Sequence, residues 1–155
     1  MELVNYNSQY DNLINDYYLP EEQLYYSAMP AEAVEISKKN NDRHTILGMD
    51  DGELVTFFIL HENEAVKSFS NNPNDILLRS FSTNHKHQSK GYAKKTLELL
   101  PEFMKAHLLH IEGIVLGVNV KNTAGQSLYK KCGYVDEGNR VMGSKGEMIV
   151  MKYYL

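Results

Sequence analysis

At 155 residues the chain has room for one domain with a sizeable buried core, and not for two. Its 16 Lys and Arg stand against 20 Asp and Glu, a formal net charge of -4 that gives no global electrostatic drive toward nucleic acid and is too mild to name a cationic substrate. The single cysteine, Cys132, rules out an internal disulfide and a thiolate-rich zinc site, and no metal centre is expected.

The opening Met1-Glu2-Leu3-Val4-Asn5 lacks the basic and apolar regions of a secretion signal, so the expected address is the cytoplasm. No apolar run approaches the roughly 20 residues that span a bilayer, and no membrane partner is expected.

Apolar residues recur at spacings of three and four through Leu13, Ile14, Tyr17 and Tyr18, then Leu24, Tyr25 and Ala28, then Ala33, Val34 and Ile36. Pro20 and Pro30 interrupt them, so this stretch reads as two or three short helices. The period then changes. Residues 45–49 and 54–60 flank Asp50-Asp51-Gly52, a turn in which glycine supplies a positive φ, and the pair reads as an antiparallel hairpin. The polar residues 63–75, with Asn71-Asn72-Pro73-Asn74, read as an exposed loop before a strand at 76–83. That loop serves either as a plain connector or as one wall of a substrate entrance.

A helix from about Gly91 carries the stripe Ala93, Leu97, Leu100 and Met104, with Pro101 expected to bend or restart it. The apolar run at 113–118 reads as a buried strand parallel to the one at 76–83, making a βαβ unit. A short Asn-capped helix at 122–131 follows, and Tyr134-Val135 with residues 147–153 form a closing strand pair, separated by Gly138, Gly143 and Gly146.

Gln88-Ser89-Lys90-Gly91-Tyr92-Ala93 lies between a strand and a helix, where free backbone N–H groups and the positive end of a helix dipole converge. An anion bound there wants small residues at the close approach, and Gly91 and Ala93 supply them, with Lys90 and Lys94 adding charge. By itself the turn fits an ordinary strand-to-helix junction equally well. Neither G-x-x-x-x-G-K-[ST] nor G-x-G-x-x-G occurs, which disfavours a P-loop NTPase or a Rossmann dehydrogenase.

About 30 residues on, directly after the apolar strand, comes the segment from Asn119 through Asn122, Ala124, Leu128, Tyr129, Lys131 and Gly133 to Tyr134. Gln-x-x-Gly-x-Ala followed at this distance by Asn-x-x-Ala-x-x-x-Leu-Tyr-x-Lys-x-Gly-Tyr resembles the GNAT (Gcn5-related N-acetyltransferase) superfamily. The motifs cover residues 76–135, while the helices at about 8–40 and the hairpin match the family's layout alone. The resemblance implies a single-domain α/β (α+β) fold over residues 1–155: a mixed sheet with antiparallel amino-terminal strands, a central parallel pair and flanking helices. It implies acetyl-CoA as co-substrate, transfer to a primary amine, and an acceptor side built from the amino-terminal helices.

By the same resemblance the backbone of Phe81, Ser82 and Thr83 would bond the pantetheine arm. Amides around Gln88, Ser89, Lys90, Gly91, Tyr92, Ala93 and Lys94 would hold the pyrophosphate. Asn122 would bond the pantetheine arm or its surroundings, and Tyr129 would face the departing sulfur as the catalytic residue. The sequence departs from the family's commonest pattern at Ser89, where many members have glycine; a positive φ there would strain a residue with a side chain.

A free tyrosine has a pKa near 10 against about 8.5 for a thiol, so proton transfer from an ordinary Tyr129 is uphill by roughly 2 kcal/mol. Tyr129 therefore either donates a hydrogen bond, or has a lowered pKa, or leaves the proton to travel by water. The general base is open among Asp75, Glu112, Glu21 and Glu22, each of which also fits a solvated surface role, while His85 and His87 are expected on the solvent side of the turn. Cys132 at a helix end fits a small buried apolar role better than an acetylated intermediate, which favours direct transfer. Tyr17, Tyr18, Tyr25 and Tyr26 suit either an aromatic wall for a cationic amine or helix packing.

The expected acceptor is a small molecule or polyamine. A protein amino terminus or lysine, and a non-catalytic CoA-binding module, are the alternatives. The carboxy-terminal strand would serve in a homodimer or simply close the sheet.

Overall fold

The computed structural model describes all residues 1–155. Short, continuously buried and largely apolar runs make β2 (Arg43–Asp50) and β3 (Glu53–His61) a hairpin around the turn at Asp51 and Gly52, both with positive φ. One feature the sequence reading lacked is β1 (Glu2–Asn5), which pairs antiparallel with β2. Four residues with no buried member give too short an alternation to register as a strand.

The amino-terminal helices are α1 (Asp11–Asp16), α2 (Glu21–Leu24) and α3 (Pro30–Lys38). Ile14 of α1, Tyr17 and Leu19 of the link to α2, and Ala33 and Val34 of α3 pack against Leu47, Phe57 and Ile59 on one face of the sheet, while α2 itself has no buried residue. On the opposite face lies α4 (Tyr92–His107), whose Leu97, Leu100, Phe103 and Met104 cover Phe58, Leu60, Ile76 and Leu78. Pro101 does not end and restart the helix. The helix runs on to His107 because Phe103 and Met104, beyond the proline, are buried in the same core as Leu97 and Leu100. That burial offsets the hydrogen bond the proline cannot make.

The remaining strands are β4 (Asp75–Thr83), β5 (Gly113–Asn119), β6 (Val135–Gly143) and β7 (Gly146–Tyr154), with α5 (Thr123–Lys131) between β5 and β6. β6 is longer than the Tyr134-Val135 stub expected. Its exposed, polar sequence hides it, and a register shift between Asp136 and Arg140 interrupts its pairing with β7. The sheet order is β1-β2-β3-β4-β5-β7-β6, with every pair antiparallel except β4 and β5. The mixed sheet with a central parallel pair and flanking helices is thus as expected.

Candidate active site

The parallel pair joins β4 to β5 only over Asp75–Gly113, Ile76–Ile114 and Leu77–Val115. Beyond Leu77 the two strands part, although β5 stays paired with β7 through Asn119. A bulge turns β4 away: Ser80 and Phe81 together stand opposite Phe58, and Ser80 has φ 56. The parting leaves the β5-facing backbone groups of β4 without a strand partner, ready to pair with an extended, amide-bearing ligand.

At the open end begins the turn into α4. From Ser89 to Lys94 no backbone N–H finds an acceptor in the chain; the first helical bond here is Lys95 N–H to the Gly91 carbonyl, 3.1 Å. Ser89 has φ 62 and Gly91 φ 83, so two left-handed residues curl these donors toward one side. Space is open where a Gly91 Cβ would be, and the helix dipole adds to the pull on an anion. Lys90 and Lys94 are exposed beside it, with Tyr92 and Ala93 half-buried. Ser89 does adopt the strained conformation, which costs about 1 to 2 kcal/mol in a residue with a side chain.

The neighbouring side chains hold this turn in place rather than offering themselves to a ligand. The Tyr92 hydroxyl donates to Asp50 Oδ2 at 2.6 Å, tying the start of α4 to the β2–β3 turn. Gln88 Nε2 donates to the Thr83 carbonyl at 3.1 Å and pairs its amide with that of Gln23. Asn84, buried, donates to the Leu54 carbonyl and accepts from the Tyr18 N–H. His87 is also buried, against the expectation of a solvent position, with its Nε2 3.7 Å from Glu53 Oε1, while His85 is exposed.

Across the opening, α5 is set by its two ends. Asn122 Oδ1 accepts from the Gly125 N–H at 2.9 Å, so that oxygen caps the helix. Gly133, φ 94, ends it in a left-handed turn in which the Tyr134 N–H reaches the Tyr129 carbonyl at 3.0 Å. Tyr129 is thereby turned toward β4, its ring edge-on to Phe81 at 6.4 Å and to Tyr134 at 5.8 Å. The residue keeps some exposed surface, yet burial pushes its pKa up to about 12 and its hydroxyl has no partner in the chain. The possibility of a lowered pKa is overturned: no cation lies near enough to offset desolvation.

Phe81 points to the α5 face and Ser82 to the other, where its hydroxyl meets that of the fully buried Tyr17 at 2.9 Å. Burial pushes the Tyr17 pKa well up, so it is a permanent neutral partner. Of the two roles open to the four tyrosines, Tyr17 takes the packing one, whereas Tyr18, Tyr25 and Tyr26 are about half exposed. No sequence signal marks the Tyr17–Ser82 or Asn84 contacts, which depend on tertiary placement.

The base candidates scatter. Asp75 is wholly buried at the closed end of the parallel pair, bonded to Lys152 Nζ at 2.7 Å and to Ser70. It is neither a surface residue nor near the open end. Glu112 is exposed at that same closed end, and Glu21 and Glu22 are exposed on α2. Cys132 caps α5, and burial pushes its thiol pKa up, which disfavours a thiolate nucleophile.

Two hollows of about 250 and 440 Å³ adjoin residues 63–73, and neither includes the turn or Tyr129. No group of three or more His, Cys, Asp or Glu side chains is placed to hold a metal ion. No helix is long and apolar enough to cross a membrane.

The sequence model of the Acetyltransferase (GNAT) family matches residues 7–134. A curated relative, the uncharacterized N-acetyltransferase YbbJ of Bacillus subtilis (strain 168), is 37% identical over 131 residues, covering 84% of this chain and 82% of its own. Among solved structures, AAC(6')-Ib in complex with paromomycin and acetyl-CoA aligns with a TM-score of 0.78 at 13% identity, covering 98% of this chain and 92% of its own. A chimera of the spermidine N-acetyltransferase SpeG of Vibrio cholerae and hSSAT aligns with a TM-score of 0.73 at 20% identity, covering 99% and 96%.

Proposed function

The chain belongs to the acetyltransferase (GNAT) family, and on that premise we propose that it moves an acetyl group from acetyl-CoA directly to a primary amine of a small molecule. The observation that carries this reading is the opening between β4 and β5, with the unbonded N–H groups of residues 89–94 at its mouth. A strand edge for a pantetheine arm and a helix start for a pyrophosphate are the two halves of what CoA requires. AAC(6')-Ib and the spermidine N-acetyltransferase, which share the fold, act on or bind small polyamino molecules, which supports the choice of acceptor class.

Bound there, acetyl-CoA supplies an activated acetyl thioester. A free N–H of β4 near Ser82 donates to the carbonyl oxygen as negative charge builds on it. The Tyr129 hydroxyl donates to the departing sulfur. With a pKa near 12 against about 8.5 for a thiol, giving up its proton outright is uphill by about 5 kcal/mol, so Tyr129 acts as a hydrogen-bond donor. The acceptor nitrogen must lose a proton, and with Asp75 at the closed end that proton leaves by water or by an exposed group. Asn122, whose Oδ1 is taken by the cap, has its amide N–H left for the pantetheine region.

The test is an acceptor screen with acetyl-CoA, reading thiol release and the mass of the product. Product 42 mass units heavier than one of the amines, roughly the mass of an added acetyl group, is the expected result. No thiol release above background with any amine, alongside ordinary CoA binding, would sink the enzymatic reading and favour a CoA-binding module.

A further inference from the structure

A circuit of side-chain contacts runs from the end of β4 to the end of β5 across the open mouth. Gln88 Nε2 holds the carbonyl of Thr83, the last residue of β4, and the Gln88 amide pairs reciprocally with Gln23 of α2. Two residues on, the Tyr25 ring faces Lys145, whose Nζ lies 4.8 Å from the ring centroid. Lys145 sits in the β6–β7 turn, and its carbonyl accepts from Nδ2 of Asn119, the last residue of β5, at 2.9 Å. Every link but one is a hydrogen bond between neutral groups. The exception is the lysine ammonium over the tyrosine ring, and that ammonium pairs with no carboxylate.

Tyr25 and Tyr26 stand edge to face, centroids 4.9 Å apart and planes at 86°, forming two walls of a corner. Both are about half exposed, at 51% and 48%, too open for this corner to be explained by core packing. A ring face that holds an ammonium which pairs with no carboxylate suits an organic cation. Lys145 is itself a primary alkylammonium. Resting on the proposed acetyl transfer, we propose that the Tyr25 face is the subsite for a second, charged amine of the acceptor, that Lys145 is an internal occupant the acceptor displaces, and that the acceptor is therefore an aliphatic di- or polyamine.

The chemistry requires two nitrogens. The attacking nitrogen must be neutral: it forms the C–N bond as the C–S bond breaks, and its proton leaves while sulfur takes up one from the surroundings. It cannot also be the cation held on the ring. A monoamine would satisfy the reacting position and leave Lys145 on Tyr25, whereas a diamine satisfies both. Displacing Lys145 loosens the weakest link in the circuit only when the right acceptor enters.

The test is a mutant cycle on the CoA-saturated protein, titrated calorimetrically with 1,4-diaminobutane and with butylamine, and in parallel the ratio of kcat/KM for the two amines. Lys145→Ala should tighten 1,4-diaminobutane roughly two- to five-fold, the size of an exposed cation–π contact, without a matching gain for butylamine. In the Lys145→Ala background, Tyr25→Phe should keep that gain and Tyr25→Leu should abolish it. A gain that survives Tyr25→Leu would reduce Lys145 to a general electrostatic effect and overturn the proposal, as would equal gains for both amines. If no amine is acetylated, the kinetic arm tells against the enzymatic reading while the binding arm still decides the subsite.

Discussion

In the proposed mechanism two demands meet at the Tyr129 hydroxyl: it must stay protonated to donate, and it must sit dry enough for the bond to matter. Burial meets both, because desolvation disfavours the phenolate and holds the pKa near 12. A phenol is the donor below its pKa, so raising that pKa extends the active form upward in pH. The rate of the native protein should therefore climb with pH as the acceptor amine deprotonates, and show no falling limb from Tyr129 below about pH 11. Tyr129→Phe should lower kcat about ten- to a hundred-fold, the worth of a hydrogen bond to a charged group, with little change in the KM for acetyl-CoA. Both are read from one pH–rate series on the two proteins. A descending limb near pH 9 that disappears in Tyr129→Phe would contradict the raised pKa and make Tyr129 an acid that gives up its proton.

At the scale of the element, α5 is where sequence and site coincide most closely. Asn122 and Gly133 are residues whose local chemistry fixes a helix start and stop, and between them they aim Tyr129. Such short-range chemistry is legible in a sequence, as are the φ-permissive Gly91 and the hairpin turn at Gly52. Ser80 adopts the same left-handed backbone with no residue-type signal, so the bulge that parts β4 from β5 could not be read, whereas at Ser89 the family resemblance alone pointed to a positive φ. Nor could the Tyr17–Ser82 and Gln23–Gln88 contacts, which join residues 65 positions apart. At Pro101 the helix runs on without a restart, because the local preference of proline is outweighed by burial on either side.

The role given to Gly133 is testable. A Cβ there would lie 3.1 Å from the Tyr153 ring at φ 94, so Gly133→Ala should cost about 1 to 2 kcal/mol in urea unfolding. Because the same turn holds the Tyr129 carbonyl, kcat should fall further than the KM for acetyl-CoA rises. A variant destabilised but with native kcat would separate the helix stop from the aim of Tyr129.

For the whole molecule, the opening that defines the site has a cost, since only three residue pairs connect β1 to β4 with β5 to β7 along the sheet. The closed end must hold the halves together, and there Lys152 of β7 reaches over β5 to the buried Asp75 of β4. Gly113 lies beneath: a Cβ on it would come within 2.6 Å of both Asp75 Oδ1 and Lys152 Cε, so the absence of a side chain lets the pair form. A buried ion pair is not in itself a large stabiliser, but removing one partner strands the other without its counter-charge. Lys152→Met keeps most of the apolar stem and removes the ammonium, and should cost about 3 to 5 kcal/mol by urea unfolding. Adding Asp75→Asn to Lys152→Met should recover part of that loss, because the stranded group is then uncharged. If the single variant unfolds at the native urea concentration, the pair does not clamp the sheet, and the apolar contacts of Ile76, Ile114 and their neighbours carry the junction alone.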